Sequence, residues 1–321
     1  MTMNERESAG GDKKASVASG RNDPVIISVG GGKGGVGKST ISSNLGAALV
    51  RSGYSVGYID ADLGGANLHT CLGMRRPAYT LQNFLTGECK SLSDVAVKTP
   101  VPRSWLISGA GEFLELANPN FAQKQKILNG IKTLEADYIL VDLGAGSHTI
   151  VSDFFAAFPH SITVTDCLPT SVENAYGFLK SGIFRGLMRL FPGRNDIQKL
   201  IKAYTNPKSG KAAPTLDNMF AQLKVKCPAE ADTMREWLDS RKLFLVLNMV
   251  RGQDEIMVGE GFTGIVRKYL SVSLRYIGYL LYTPEIRASL RTLGPAIVQN
   301  HRQTAACFDA ITKNLIALSR S

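Results

Sequence analysis

The chain has 321 residues, 44% of them hydrophobic, and 37 Lys and Arg against 27 Asp and Glu, a formal net charge of +10. That length and apolar content suffice for a packed core in one large domain or one domain with an insert, and the basic balance suits either acidic partners or simply a basic solvated surface. The five cysteines (Cys71, Cys89, Cys167, Cys227 and Cys307) never form a C-x-x-C pair and the four histidines lack ligand spacing, which argues against a disulfide framework and a stable metal cluster and fits a reducing cytoplasm.

Residues 1–23 are rich in Ser, Gly, Asn and charge and contain no apolar run. They read as a disordered tail, not a signal peptide. From Val25 onward, short apolar runs alternate with helical segments, the pattern of a parallel sheet covered on both faces. The expected strands are Val25–Val29, Ser55–Ile59, Trp105–Ser108, Tyr138–Val141, Ile162–Thr165, Leu243–Leu247 and Tyr276–Leu280. Periodicity predicts helices over Lys38–Ser52, Pro119–Glu135 and Val172–Phe191, the last with Ala175, Leu179, Ile183, Leu187 and Leu190 on one stripe. Between residues 192 and 241 no strand is evident, and prolines and glycines separate short amphipathic pieces. This reads as a mostly helical insertion in a single domain over residues 24–321. No apolar stretch reaches the roughly 20 residues of a membrane-spanning helix.

The segment Gly32-Lys33-Gly34-Gly35-Val36-Gly37-Lys38-Ser39 fits G-x-x-x-x-G-K-[ST], between an expected strand and an expected helix. In that context the glycines let successive N–H groups face phosphate oxygens, and the helix N-terminus adds its positive dipole end. Lys38 is expected on the β and γ oxygens, and the Ser39 hydroxyl on Mg²⁺. Gly32, Gly34, Gly35, Val36, Gly37 and Thr40 complete the candidate ATP-binding loop. Carboxylates close two strands: Asp60 and Asp62 after Ser55–Ile59, and Asp142 after Tyr138–Val141. Parallel strand ends share one sheet edge. Asp142 is expected to hold the metal, Asp60 to organise its shell, and Asp62 to orient or deprotonate the attacking water.

The run from Lys33 to Thr40 resembles the deviant Walker A motif of the MinD/ParA ATPase superfamily, with Lys33 as its extra signature lysine. Asp60 to Asn67, Val141 to Gly146, Leu168-Pro169-Thr170-Ser171, Asn248-Met249-Val250 and the stretch after Thr283-Pro284 are similar to segments of its flagellar site-determining (FlhG/FleN) branch. The resemblance implies a P-loop NTPase three-layer sandwich, ATP and Mg²⁺ as cofactors, and a slow, partner-stimulated ATPase. It also implies a homodimer closed around ATP, in which Lys33 reaches the partner's nucleotide. Asn248, Thr283 and Pro284 would then lie at the adenine. A protein activator or cargo is expected. Two other surfaces stay open: a peripheral contact at the inner membrane face, and non-specific DNA contact in the manner of ParA. The leading reading is an ATP-hydrolysing dimerisation switch that positions or regulates the number of a cellular structure, flagellum or division or polar apparatus; a DNA-partitioning ATPase and a nucleotide-dependent adaptor with little hydrolysis stand beside it.

For the membrane, the final segment places Phe308, Ile311, Leu315 and Leu318 on one face, which reads as a helix docked on the sheet more than a lipid anchor. Ile183 to Phe191 reads as a core helix. For DNA, Arg194, Lys199, Lys202, Lys208, Lys211, Lys224 and Lys226 make the insertion locally basic.

Overall fold

The computed structural model describes residues 23–109, 119–205, 215–284, 286, 288, 294–297 and 301–320. The tail reading and Lys208 and Lys211 therefore lie outside the described residues, apart from Asp23. Eight strands form one sheet: β1 (Val25–Gly30), β2 (Val56–Asp60), β3 (Val97–Lys98), β4 (Ser104–Ile107), β5 (Tyr138–Asp142), β6 (His160–Thr165), β7 (Lys242–Val250) and β8 (Leu274–Leu281). Their order is β3-β4-β2-β5-β1-β6-β7-β8. Every pairing is parallel except that of the two-residue edge strand β3. Central strands such as β2 and β5 are buried at every position, the reason they read as continuous apolar runs and not as alternations.

The core lies in two layers. One face of the sheet packs on α1 (Lys38–Arg51) and the last helix, α11 (Arg302–Ser319), through Ile41, Leu45, Phe308, Ile311 and Leu315. The other packs on α4 (Phe121–Lys132), α5 (Thr149–Ala157), α6 (Pro169–Leu190) and α10 (Gln253–Leu270). Two shorter helices, α2 (Leu68–Cys71) and α3 (Leu81–Thr86), follow β2. The helix α4 starts later than periodicity predicts because the Asn120 side chain accepts from the Gln123 N–H while Gln123 reaches back to the Asn120 N–H, a reciprocal cap. By contrast α6 starts earlier, because Pro169 suits a first turn that has no use for its N–H.

Residues 195–239 hold α7 (Asn195–Thr205), α8 (Leu216–Lys226) and α9 (Pro228–Asp239). Their apolar faces, including Ile197, Ile201, Met219, Leu223 and Met234, join the same core as α6. Among the described residues no helix is long and apolar enough to cross a membrane. The apolar face of α11 is inside: Phe308, Ile311 and Leu315 are each 0% exposed. Leu318, the fourth residue of that face, is partly exposed; exposing the three buried ones would cost about 2 kcal/mol apiece. In α6, Ile183 and Leu187 are buried and Leu190 partly so.

Candidate nucleotide site

The phosphate loop joins the C-terminal end of β1 to α1. The chain leaves β1 toward β2 on one side, and β6 returns on the other, so the loop sits where an open parallel sheet leaves a crevice beyond its strand ends. Gly37 caps α1 at φ 91°, a left-handed conformation that favours glycine. Gly32 is pressed on the start of α6, where a Cβ would stand 1.8 Å from the Asn174 carbonyl oxygen.

Lys38 is 9% exposed. Burial lowers its pKa, opposed by the charges of Asp142 and Asp62. Its Nζ donates to the Lys33 carbonyl at 3.4 Å. Ser39 Oγ donates to Asp142 Oδ2 at 2.6 Å, and Ser42 Oγ to Asp142 Oδ1 at 2.9 Å. Asp60 and Asp142 are register partners across β2 and β5, 1% and 2% exposed. Asp60 accepts from the Leu68 N–H at 2.9 Å and the Asp62 N–H at 3.2 Å. Burial pushes both carboxyls above the usual range, and for Asp60 the neighbouring Asp142 adds to it. Two adjacent buried carboxyl groups and a serine hydroxyl are hard oxygen donors that fit Mg²⁺, whose charge would favour the ionised carboxylates.

In front of this pair lies a cleft of about 720 Å³ lined by Gly34, Gly35, Gly37, Lys38, Ser39, Thr40 and Asp62, by Asn248 against the loop, and by Met249, Tyr282, Thr283 and Ile286. Such a volume suits a nucleotide-sized ligand. Thr283 Oγ1 is buried with no hydrogen-bond partner among the described residues, a polar atom that a ligand in the cleft would satisfy. Of the other expected site residues, Asp60 and Asp142 stand behind the lining, Val36 is in the core, and Lys33 and Pro284 are exposed. Sequence reading does not single out Ser42, Thr70, Cys71 or Tyr282. Ser42 lies one helical turn after Ser39, and that spacing is the only signal for it. Thr70 and Cys71 reach the cleft because Asp60 anchors the start of α2 at the Leu68 N–H, a contact no local pattern reveals.

The family model described as "ParA: NUBPL iron-transfer P-loop NTPase" matches residues 24–110. The chain is 28% identical to the antiactivator FleN of Pseudomonas aeruginosa, over 85% of this chain and 79% of the relative. It is 30% identical to the flagellum site-determining protein YlxH of Helicobacter pylori, over 64% of this chain and 66% of that one. The fold matches the septum site-determining protein MinD of Pyrococcus horikoshii, solved with Mg-ADP, at TM-score 0.60 and 20% identity, covering 90% of this chain and 95% of that one. The chain carries a P-loop NTPase domain of the ParA/MinD family. This family of ATPases accounts for the β1–loop–α1 arrangement and the mostly parallel eight-stranded sheet, and its flagellar branch supplies the first two relatives.

Proposed function

We propose that the chain is a Mg²⁺-dependent ATPase that works as an ATP-driven dimerisation switch and sets the position or number of a cellular structure such as the flagellum. The observation that carries this reading is the convergence of Lys38, Ser39, Asp142 and Asp62 at one end of a single nucleotide-sized cleft. The names of the flagellar relatives motivate the structure chosen.

In this reading the loop from Gly32 to Thr40 holds the triphosphate by its N–H groups, and Lys38 neutralises the β and γ oxygens. Ser39 and Asp142 would hold Mg²⁺, with Asp60 behind them, and the ion would supply positive charge against the phosphates. Asp62, which lines the cleft within electrostatic reach of Lys38, orients a water and takes up its proton. The water oxygen bonds to the γ-phosphorus as the bond to the β–γ bridging oxygen breaks, leaving ADP and phosphate. Met249, Tyr282 and Thr283 line the part of the cleft assigned to adenine, with Pro284 next in sequence. Lys33, exposed on the loop, is free to enter a partner's site, where a cation would stabilise charge on the transferring group as an arginine finger does.

The mixed charge of α7–α9 weakens the DNA reading. Arg194 is paired with Asp196 and Glu230, and Asp217 and Asp232 lie among the exposed lysines. Steady-state turnover and ATP binding, measured on the native protein and on Asp62→Ala, test the proposal. Loss of turnover by at least about a hundredfold with binding retained is expected. Equal turnover in the two proteins would overturn the role given to Asp62, and none in the native protein with any partner would leave the adaptor reading standing.

A further inference from the structure

Asn248, at the end of β7, is 4% exposed, and both ends of its amide are engaged. Nδ2 donates to the Val36 carbonyl at 2.8 Å, and Oδ1 accepts from the Met249 N–H at 2.9 Å. The fit against the loop is close: a Cβ on Gly37 would stand 2.1 Å from Nδ2. Met249 is held at φ 60°, left-handed for a residue with a side chain, and the β7–β8 register shifts between Leu247 and Val250. The strand end is thus strained at the point where the Asn248 side chain meets the phosphate loop.

We infer that Asn248 is a positioning residue for the phosphate loop, holding the Val36 carbonyl so that the loop keeps its grip on phosphates whatever base is attached. The inference rests on the nucleotide reading above and assigns Asn248 a part that a base contact would not predict. Its physical basis is the planar trans peptide, in which C=O and N–H point in opposite directions. Fixing the Val36 oxygen toward Asn248 turns the Gly37 N–H to the other side, at the junction where loop becomes helix. A buried side-chain amide is suited to this, because it is rigidly placed and its loss leaves the Val36 carbonyl unpaired.

The test separates grip from base reading. Binding of Mg·ATP, Mg·GTP and inorganic tripolyphosphate is measured for the native protein and Asn248→Ala, with cooperative thermal unfolding as the check on folding. Should the alanine variant not fold, Asn248→Ser, too short to reach Val36, is read in its place. The expected result is a loss of about tenfold for both ATP and tripolyphosphate, with the ATP-to-GTP preference unchanged. Loss confined to ATP, a collapsed ATP-to-GTP preference, or no change in any of the three overturns the inference. A native protein that binds none of the three instead sinks the nucleotide reading itself.

Discussion

A carboxylate that works on a water molecule has to be placed as well as present, and at Asp62 the room for it depends on Gly144. Cβ atoms added at Gly65 and Gly144 would lie 3.5 Å and 3.3 Å from the Asp62 carboxylate group. Gly144 follows Asp142 at the end of β5, so the spacing between the two chain segments depends on its missing side chain. The tighter contact requires Asp62 to give way by a few tenths of an ångström in Gly144→Ala. If Asp62 handles the attacking water, turnover falls about tenfold or more, since small misplacements of a catalytic group are costly, while ATP affinity is unchanged. Steady-state assays and calorimetric titration measure the two quantities. The double variant Gly144→Ala/Asp62→Ala is the sharper check, because residues acting through one group are not additive. It is expected to be no slower than Asp62→Ala alone. Additive losses would mean that Gly144 acts by another route.

Between the helices, Asp153 plays a holding role without touching nucleotide. It sits on α5, its side chain 5% exposed, and meets Lys124 of α4 at 2.9 Å and Arg185 and Arg189 of α6 at 2.6 Å and 3.6 Å. Burial alone would raise its pKa, but the hydrogen bonds from Arg185 and Lys124 hold it below the usual carboxylate range. A carboxyl with a depressed folded-state pKa contributes stability above its unfolded pKa and loses it as pH falls through the folded value. Asp153→Asn is therefore expected to cost roughly 3 kcal/mol near neutral pH, because it leaves three cations around an uncharged centre. The urea midpoint difference from the native protein should then close as pH drops below about 4. A constant difference across that range would contradict the ion-pair account. No local pattern shows this hub, since its partners are 29, 32 and 36 residues away from Asp153. The same limit hides the Asp60–Asp142 pair, which exists only through the register of β2 on β5. What sequence does show is what is local: seven apolar runs for the parallel strands, and the loop with its glycines and lysine. The edge strand β3 is too short to form a pattern. The helix α10 escapes notice because Gly259, Gly261 and Gly264 lower its helix propensity. Gly259 is nonetheless needed there, since a Cβ would stand 2.6 Å from the Tyr276 ring.

For the molecule as a whole, the edge of the sheet that bears the cleft is also where several large apolar side chains are left exposed. Leu168, between β6 and α6, is 57% exposed; Met249 and Tyr282, on the cleft wall, are 37% and 49% exposed. Lys33 is exposed on the same edge. A second copy placed face to face would cover this apolar surface and bring each Lys33 toward the other's triphosphate, while the opposite end of the sheet stays free. Dimerisation would then depend on ATP, because two like-charged lysines brought together without a polyanion between them repel. Sedimentation of Asp62→Ala, in which hydrolysis is slowed and the bound state prolonged, is expected to give a dimer with Mg·ATP and a monomer with Mg·ADP. Adding Lys33→Ala is expected to return it to monomer while nucleotide binding by each copy persists, since Lys33 does not line its own cleft. Leu168→Glu, at a residue outside the lining of the cleft, should weaken the dimer by burying a charge, again without loss of ATP binding. If both substitutions left an ATP-dependent dimer intact, association would have to use another face, and the switch would need a different geometry.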